Sequence, residues 1–405
     1  MSALFQERLD LRIGLLMFAL ITIGLVSIYS ATYDAGASEL SNKQLLWAGA
    51  GAIVFLIAIF LPFKFLHSIA YPSYFLCMLM LVSVLLLGKT VSGSTSWFNL
   101  GTMRLQPSEF AKIATVFALA SYLSRNEVSL QKFRHLVIAS VIVLLPVGLI
   151  MMQPDIGTAV IYLGMFLAVL YWGGASNFTI VAFVAPGVVA IAALFGTTPF
   201  LIAVVILSAL LYLTREHRIV AAAMFSLMVL VGISVQFIYN GLKPYQQKRI
   251  AAFLDPNADP LGAGYNVLQS KVAIGSGGLL GKGYLQGTQT QLNFIPEQWT
   301  DFIFCVPGEE FGFLGAAVVL VLFMTLLLHG VKIGSTVKNR YSSLVAIGIT
   351  SILGTHVFIN IGMAVGLLPV IGVPLPFLSY GGSALLTSMT MVGILLNLYS
   401  NRKGY

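Results

Sequence analysis

Apolar stretches long enough to cross a membrane recur along the whole chain. We place them near residues 13–30, 45–61, 70–88, 107–123, 136–152, 156–172, 178–196, 199–213, 219–239, 302–328, 342–366 and 379–398. A helix needs about 20 apolar residues to cross the hydrocarbon of a bilayer, and a backbone surrounded by lipid satisfies its hydrogen bonds only in helices or closed barrels. The sequence therefore predicts an all-α polytopic integral membrane protein, with residues 1–405 forming a single membrane domain of about twelve transmembrane helices.

The composition agrees with this interpretation and argues against a soluble protein. Hydrophobic residues make up 58% of the 405 residues and charged residues only 9%, whereas an average soluble domain has about 25% charged residues. The net charge of +8 does not indicate nucleic-acid binding, because basic loops are expected on the cytoplasmic side of a membrane protein. The first apolar stretch lacks a small-residue cleavage site, so we interpret it as a retained helix.

The distribution of basic residues predicts the orientation. When the N-terminus is placed inside, most of the basic loops are cytoplasmic, and the short outer loops hold only Lys43, Lys89 and Arg104. Both termini are then cytoplasmic. The stretch at 199–213 is short for a span, but without it every later basic loop would lie outside. Residues 240–300 become a large extracytoplasmic loop, and ordered loops of this length are usually functional.

Carboxylates beside or inside apolar stretches are candidate functional groups, because hydrocarbon strongly disfavours them. Asp301 stands at the mouth of the stretch 302–328, in "EQWTDFIFCVPGEEFG", and Glu309 and Glu310 follow inside it. Asp301 is either the N-cap of the helix that follows or a catalytic group. At least one of the two glutamates is expected to face a partner or a wet cavity.

Three further stretches each allow a structural and a functional interpretation. In "LQPSEFAKIA", Glu109 and Lys112 are spaced to form an ion pair, which either lowers the cost of insertion or faces a polar cavity. Asp155 in "QPDIGT" is placed to cap the next helix. The stretch "LLPVIGVPLPFLSYGGS" at 367–383 is either a kinked connection or a cavity wall. The cysteines, Cys77 and Cys305, and the five scattered histidines show no metal-ligand spacing.

Together these stretches resemble the SEDS family (shape, elongation, division and sporulation), and in particular its RodA-like branch. The resemblance rests on "FNLGTMRLQPSEFAKIA", "QPDIGT", "LDPNADPLGAGYNVLQSKVAIGSGGLLGKGYLQGTQTQLNFIPEQWTDFIF", "GEEFG" and "LLPVIGVPLPFLSYGGS". These pieces follow the family's order over most of the chain. The resemblance implies a peptidoglycan glycosyltransferase of cell elongation, which polymerises lipid II at the outer face of the bacterial cytoplasmic (inner) membrane. It also implies membrane-lipid contact, a class B penicillin-binding protein as partner, and other elongation-complex membrane proteins.

The resemblance also assigns residues. Asp301 aligns with the family's candidate catalytic aspartate, and family positions match Trp97, Glu109, Lys112 and Asp155. We add Arg104, Gln106, Lys271 and Glu297, which lie in the quoted stretches, as substrate-binding candidates. Family members typically have arginine before the tryptophan, where this chain has Ser96, and Arg104 is a candidate substitute. The family is described with ten spans, so we expect residues 178–213 to be an extra helical hairpin.

The chemistry of such a transfer requires few groups. A sugar hydroxyl attacks the anomeric carbon of a polyprenyl-pyrophosphate sugar, and Asp301 can accept the proton as general base. Pyrophosphate leaves as a stable anion, so cations are needed rather than a general acid; Lys112, Arg104, Lys271 or a divalent cation such as Mg²⁺ or Mn²⁺ would serve. In-line attack with one base implies inversion at the anomeric carbon.

Two other functions remain compatible with these residues. A lipid II flippase would also need a polar cavity with paired charges, although here the ionisable groups cluster toward the outer face. A non-catalytic scaffold of the elongation complex would leave the buried carboxylates unexplained. Polymerisation of labelled lipid II by the purified chain would separate these alternatives.

Overall fold

The apolar stretches of the sequence are helices in a computed structural model of the chain. The structure describes residues 10–34, 36–37, 39–91, 94–100, 103–213, 218–242, 247, 251, 264–292 and 294–402. The helices are α1 (Leu11–Tyr33), α2 (Glu39–Phe60), α3 (Phe63–Ser68), α4 (Ala70–Leu87), α5 (Pro107–Leu123), α6 (Phe133–Met152), α7 (Ile156–Trp172), α8 (Asn177–Leu194), α9 (Thr197–Leu213), α10 (Arg218–Gly241), α11 (Tyr265–Ser276), α12 (Thr288–Gln291), α13 (Cys305–Glu310), α14 (Gly312–Thr336), α15 (Arg340–Ala364) and α16 (Gly382–Ser400).

Eleven of the twelve predicted spans coincide with a single helix, the stretch 302–328 contains α13 and the first part of α14, and the multi-pass membrane architecture is confirmed. Among the described residues, eight helices are long and apolar enough to cross a membrane: α1, α2, α4, α6, α8, α14, α15 and α16. The helices α7 and α9 are apolar but have only 17 residues each. The number of twelve spans therefore stays a prediction.

Side-chain caps explain where several helices begin. The Asp10 side chain accepts a hydrogen bond from the backbone of Arg12 at the start of α1. Asn339 accepts one from the backbone of Ser342 at the start of α15. Such caps satisfy backbone N–H groups that have no partner inside the helix.

The helices α15 and α16 lie at the centre of the bundle. In each of them 72% of the apolar span is buried, compared with 17% in α8. The helix α15 packs against α5, α7 and α14, and α16 packs against α1 and α2. Polar side chains on α15 and α16 are therefore enclosed by protein, where they can take part in a buried site.

The helices α8 and α9 cover the residues 178–213, where the sequence predicts an extra hairpin, and whether they are an addition to the family fold stays a prediction. They contact each other and α10, and the turn between them contains Gly196 with a φ of +119°. Phe178, Ala185, Val189, Val204, Leu211 and Met228 form an apolar cluster that is separate from the main core. The predicted cytoplasmic loop "REHR" lies mostly outside the described residues.

Two features lie outside the helical bundle. A three-stranded antiparallel sheet, β1 (Lys89–Val91), β2 (Ser94–Leu100) and β3 (Met103–Leu105), joins α4 to α5. The all-α prediction did not include this sheet; its Thr, Val, Trp and Phe residues favour strands. The predicted loop 240–300 contains α11 and α12, and its residues 243–246, 248–250, 252–263 and 293 lie outside the described residues.

Candidate active site

Asp301 lies in a turn immediately before α13. The turn is built on the carbonyl of Glu297, which accepts hydrogen bonds from the backbone of Thr300 and Asp301 at 3.1 Å each. The helix α13 begins at Cys305 with Phe304 in the N-cap position. The interpretation of Asp301 as the N-cap is therefore wrong, because the helix starts a full turn later than the sequence suggested.

Three successive backbone carbonyls hold this turn against the rest of the protein. The backbone N–H of Tyr380 donates to the carbonyl of Trp299 at 2.8 Å. The Ser379 hydroxyl donates to the carbonyl of Thr300 at 2.6 Å. Asn360 Nδ2 donates to the carbonyl of Asp301 at 2.8 Å. The backbone at Asp301 is thus fixed from two sides, while its side chain is only partly buried.

The donors Ser379 and Tyr380 belong to an irregular connection between α15 and α16, residues 365–381, which we call the proline–glycine segment. Its side chains Val373, Leu375, Phe377 and Leu378 are buried. Gly372 has a φ of +70°, and a Cβ atom there would lie 3.4 Å from Asp301 Oδ2. The segment is therefore a buried wall beside Asp301, more than a kinked connection.

Helices pack unusually close to the proline–glycine segment. A Cβ atom at Gly24 of α1 would lie 2.5 Å from the carbonyl oxygen of Phe377, and one at Gly157 of α7 would lie 2.7 Å from that of Ile371. The Gln44 side chain of α2 donates to the carbonyl of Ser379 at 3.2 Å and accepts from the backbone of Gly381 at 3.1 Å. Three helices thus fix the position of the segment.

A buried charge network lies behind the segment. Lys112 Nζ is 2.8 Å from Glu109 Oε1 and 2.8 Å from His356 Nε2, and the Thr387 hydroxyl donates to Glu109 Oε2 at 3.0 Å. The predicted contact between Glu109 and Lys112 is confirmed. The side chains are only 5% and 1% exposed, which favours the interpretation that pairing lowers the cost of insertion over the one in which the pair faces a polar cavity. Packing of α5 against α15 and α16 encloses them.

The geometry defines the protonation of His356. Its Nδ1 lies 3.0 Å from the carbonyl oxygen of Pro374, which can only accept a hydrogen bond. Nδ1 therefore carries the proton, and Nε2 accepts from the ammonium of Lys112. One turn further along α15, Asn360 Nδ2 donates to the carbonyl of Val373 at 2.7 Å. His356 and Asn360 connect the charge pair, the proline–glycine segment and Asp301.

Asp155 is both a helix cap and a partner of another candidate residue. Its carboxylate accepts from the backbone of Thr158 at 3.0 Å and from the Thr158 hydroxyl at 2.8 Å, so the capping interpretation is confirmed. Gln106 Nε2 donates to Asp155 Oδ2 at 3.2 Å. Burial raises the pKa of Asp155 above its ordinary value, and the hydrogen bonds from Thr158 oppose this effect.

The two glutamates of α13 accept hydrogen bonds from segments of the chain that precede Asp301. Glu309 is buried and accepts from Lys282 Nζ at 2.8 Å and from the backbone of Gln289 and Thr290 at 2.8 and 3.0 Å. Glu310 accepts a hydrogen bond from the Ser30 hydroxyl of α1. The expectation that at least one of them faces a partner is confirmed; both do, within the chain itself.

The remaining candidate residues lie on strands and loops. Trp97 is partly buried on β2, and Arg104 is exposed on β3, where its carbonyl accepts from the Ser383 hydroxyl at 3.3 Å. Ser96, where family members typically have arginine, is buried and hydrogen-bonded to Ser94. Lys271 of α11 lies over Gly366, at the start of the proline–glycine segment.

The last candidate residue, Glu297, has an exposed side chain. The Thr300 hydroxyl of the same turn donates a hydrogen bond to its carboxylate at 3.2 Å. It has a φ of +55°, an uncommon conformation for a residue other than glycine. Such outliers occur at functional sites.

Sequence reasoning missed His356 and Asn360. Both lie in an apolar stretch without a recognisable motif, and His356 lacks metal-ligand spacing. The available signal was that a polar side chain at membrane depth faces the bundle interior. In the part of the chain that the structure describes, no three His, Cys, Asp or Glu side chains form a group that could hold a metal ion.

Comparisons with known proteins agree with the geometry. The profile of the cell cycle protein family that comprises FtsW, RodA and SpoVE matches residues 11–207 and 195–404. The chain is 35% identical over 399 residues to peptidoglycan glycosyltransferase MrdB of Escherichia coli K12, covering 98% of this chain and 95% of that protein. It is 36% identical over 431 residues to peptidoglycan glycosyltransferase RodA of Treponema pallidum, covering 96% and 97%.

Solved structures show the same fold. One, described as "Structural coordination of polymerization and crosslinking by a peptidoglycan synthase complex", superposes with a TM-score of 0.75 at 28% identity and covers 98% of this chain and 99% of that chain. The crystal structure of the rod shape determining protein RodA of Thermus thermophilus superposes with a TM-score of 0.65 at 25% identity, covering 98% of both chains.

Proposed function

We infer that this chain, which belongs to the SEDS family of FtsW, RodA and SpoVE cell cycle proteins, is a peptidoglycan glycosyltransferase. Relatives with that activity in their names match it over nearly their full length. The chain is a multi-pass membrane protein. The transferred sugar is proposed to come from lipid II, at the outer face of the cytoplasmic membrane, with both chain termini cytoplasmic.

Asp301 is proposed as the general base. This role is supported by one observation: the backbone of Asp301 is held by hydrogen bonds, whereas its side chain is only partly buried and lies beside Gly372. A carboxylate held in this way can meet a sugar hydroxyl at a defined position. As the hydroxyl oxygen bonds to the anomeric carbon, its proton passes to Asp301 and the bond to pyrophosphate breaks. In-line displacement inverts the anomeric centre.

The cations of the site have separate roles in this proposal. Arg104 and Lys271 are exposed, and Lys271 lies against the proline–glycine segment, so these two are proposed to bind the pyrophosphate. Lys112 is enclosed between Glu109 and His356 and holds the segment in place through His356.

The partner is proposed to be a class B penicillin-binding protein, which would crosslink the strands that this chain polymerises. The support is the solved peptidoglycan synthase complex of similar fold, which is described as coordinating polymerisation and crosslinking. The hairpin α8–α9 is proposed as an addition to the family fold, used for packing or partner contact. It has its own apolar cluster, and no carboxylate or amine lies within residues 177–213.

The test is polymerisation of labelled lipid II by the purified chain in detergent, with and without the partner, read as glycan length on a gel. A detergent micelle does not separate two aqueous compartments, so a lipid II flippase without polymerase activity would give no glycan in this assay. We expect Asp301→Asn, which keeps the shape and removes the charge, to lower the rate by about 10²–10⁴-fold. Asp34→Asn, an exposed carboxylate at the end of α1, is the matched control. Polymerisation by Asp301→Asn at the control rate would refute the role of Asp301.

A further inference from the structure

A cavity lies at the opposite end of the bundle from Asp301. It has a volume of about 410 Å³ and is bordered by α3, by the loop that follows α5, and by the start of α15. Its polar lining consists of Lys64, His67, Ser124, Asn126, Asn339 and Arg340. None of these residues takes part in the site around Asp301.

The lining suits an anion. Five of the six polar side chains, all but Ser124, carry an N–H group that can donate a hydrogen bond. The Ser124 hydroxyl donates to the carbonyl of Ser121 at 3.1 Å. The lining residues that the structure describes include no carboxylate. Lys64 and Arg340 supply two positive charges from different elements. Arg340 presents a planar fork of donors, which matches the oxygens of a phosphate group.

Aromatic side chains give the cavity a fixed wall. The Tyr341 ring packs edge-on against His67, with 4.7 Å between the ring centroids, and against Phe63 at 6.0 Å. The Tyr341 hydroxyl donates to the carbonyl of Leu66 at 3.1 Å, which ties α15 to α3. The cationic groups are therefore mounted on elements that are packed together.

The length of α15 indicates the depth of the cavity in the membrane. Arg340 begins this helix, and Asn360, which holds Asp301, lies twenty residues later. At about 1.5 Å per residue the two positions are about 30 Å apart, which is about the thickness of the bilayer hydrocarbon. With Asp301 at the outer face, the cavity lies at the level of the headgroups of the cytoplasmic leaflet.

Exposed aromatic side chains lie on or next to the elements that border the cavity. Phe60 at the end of α2, Phe65 on α3 and Tyr71 on α4 all expose their side chains. Phe65 stands between the two lining residues Lys64 and His67 in the sequence. A lipid whose phosphate entered the cavity would have its acyl chains against these aromatic side chains.

We propose that this cavity binds the phosphate group of an anionic phospholipid from the cytoplasmic leaflet. The cytoplasmic leaflet carries the anionic lipids that attract basic groups near the membrane surface. The inference depends on the orientation proposed above but not on glycosyl transfer. A bound lipid would join α3, the loop after α5 and the start of α15, and so stabilise the end of the bundle farthest from Asp301.

The test is native mass spectrometry of the purified full chain, titrated separately with phosphatidylglycerol, with phosphatidylcholine of the same acyl chains, and with inorganic phosphate. We expect phosphatidylglycerol to bind about tenfold more tightly than phosphatidylcholine, corresponding to about 1.4 kcal/mol. The double variant Lys64→Gln/Arg340→Gln should lose this preference, and each single variant should lose part of it. Lys332→Gln/Lys338→Gln removes the same charge from exposed sites outside the cavity and should keep the preference.

Three results would overturn the inference. The control variant could lose the preference as fully as the cavity variant, which would show non-specific attraction to a basic surface. The cavity variant could keep the preference. Inorganic phosphate could displace phosphatidylglycerol at equal concentration, which would make free phosphate the ligand. Because the readout is lipid binding, it separates this inference from the proposed polymerase activity.

Discussion

Replacing Asn360 with leucine tests whether the backbone at Asp301 has to be held in place. Asn360 is fully buried, and its Nδ2 donates to the carbonyls of Asp301 and Val373 at 2.8 and 2.7 Å. Leucine cannot donate, so both carbonyls lose this donor in a buried position. Each unsatisfied group costs about 1–3 kcal/mol, so Asn360→Leu should lower the free energy of unfolding by about 2–6 kcal/mol.

The effect on catalysis should exceed the effect on stability. Without Asn360, one of the three hydrogen bonds that hold the carbonyls of residues 299–301 is lost, and the turn is free to shift. A displacement of about 1 Å in a catalytic group can cost about 10²-fold in rate. The assay is polymerisation of labelled lipid II, normalised to the folded fraction measured by thermal unfolding.

The chain offers a matched control. Asn397 of α16 is equally buried, and its Nδ2 donates to the carbonyls of Ala58, Ile59 and Leu61 at the far end of the bundle. Asn397→Leu should cost as much stability or more, yet folded molecules should polymerise at close to the wild-type rate. If the two variants lost equal activity per folded molecule, the loss would reflect general destabilisation and the reasoning would be refuted.

Two further predictions concern the charge pair and the topology. Lys112→Met should destabilise the chain by about 3–5 kcal/mol, because it leaves the Glu109 carboxylate buried without its cation. The double variant Glu109→Gln/Lys112→Met should recover much of that stability, as measured by thermal unfolding. Equal stability of the single and double variants would contradict a buried pair. In sealed cells, a cysteine replacing Thr197 should react with an impermeant thiol reagent, whereas one replacing Leu213 should not, and the reverse pattern would overturn the proposed orientation.

The membrane architecture could be predicted from sequence because lipid imposes one strong rule on the backbone. Apolar stretches become helices wherever water is absent, and eleven of the twelve predicted spans are single helices here. The stretch 302–328 shows where the rule is too coarse. It contains the short helix α13 and then the start of α14 at Gly312, which has a φ of +64°. Hydropathy averaged over the stretch does not reveal this break, because Glu309 and Glu310 are the only charged residues in it.

The candidate site was predictable only in part, for a similar reason. Spacing along one helix identified the contact between Glu109 and Lys112, because residues three apart share a face. The third member of the network, His356, is 244 residues away from Lys112 in sequence. Nothing local to His356 indicates that partner. Asp301 was a candidate from its position at the mouth of an apolar stretch, and the resemblance favoured a catalytic role for it. The groups that hold it depend on the packing of α15 and the proline–glycine segment.

The close approach of helices to the proline–glycine segment has a genetic consequence. Gly24 and Gly157 lie within helices that hold none of the proposed catalytic or pyrophosphate-binding side chains, yet a single methyl at either position would collide with a backbone carbonyl of the segment. A backbone atom cannot rotate away as a side chain can. In a screen for loss of cell shape, substitutions at these two glycines should therefore be recovered alongside those at Asp301, and a map of such alleles would trace the outline of the segment.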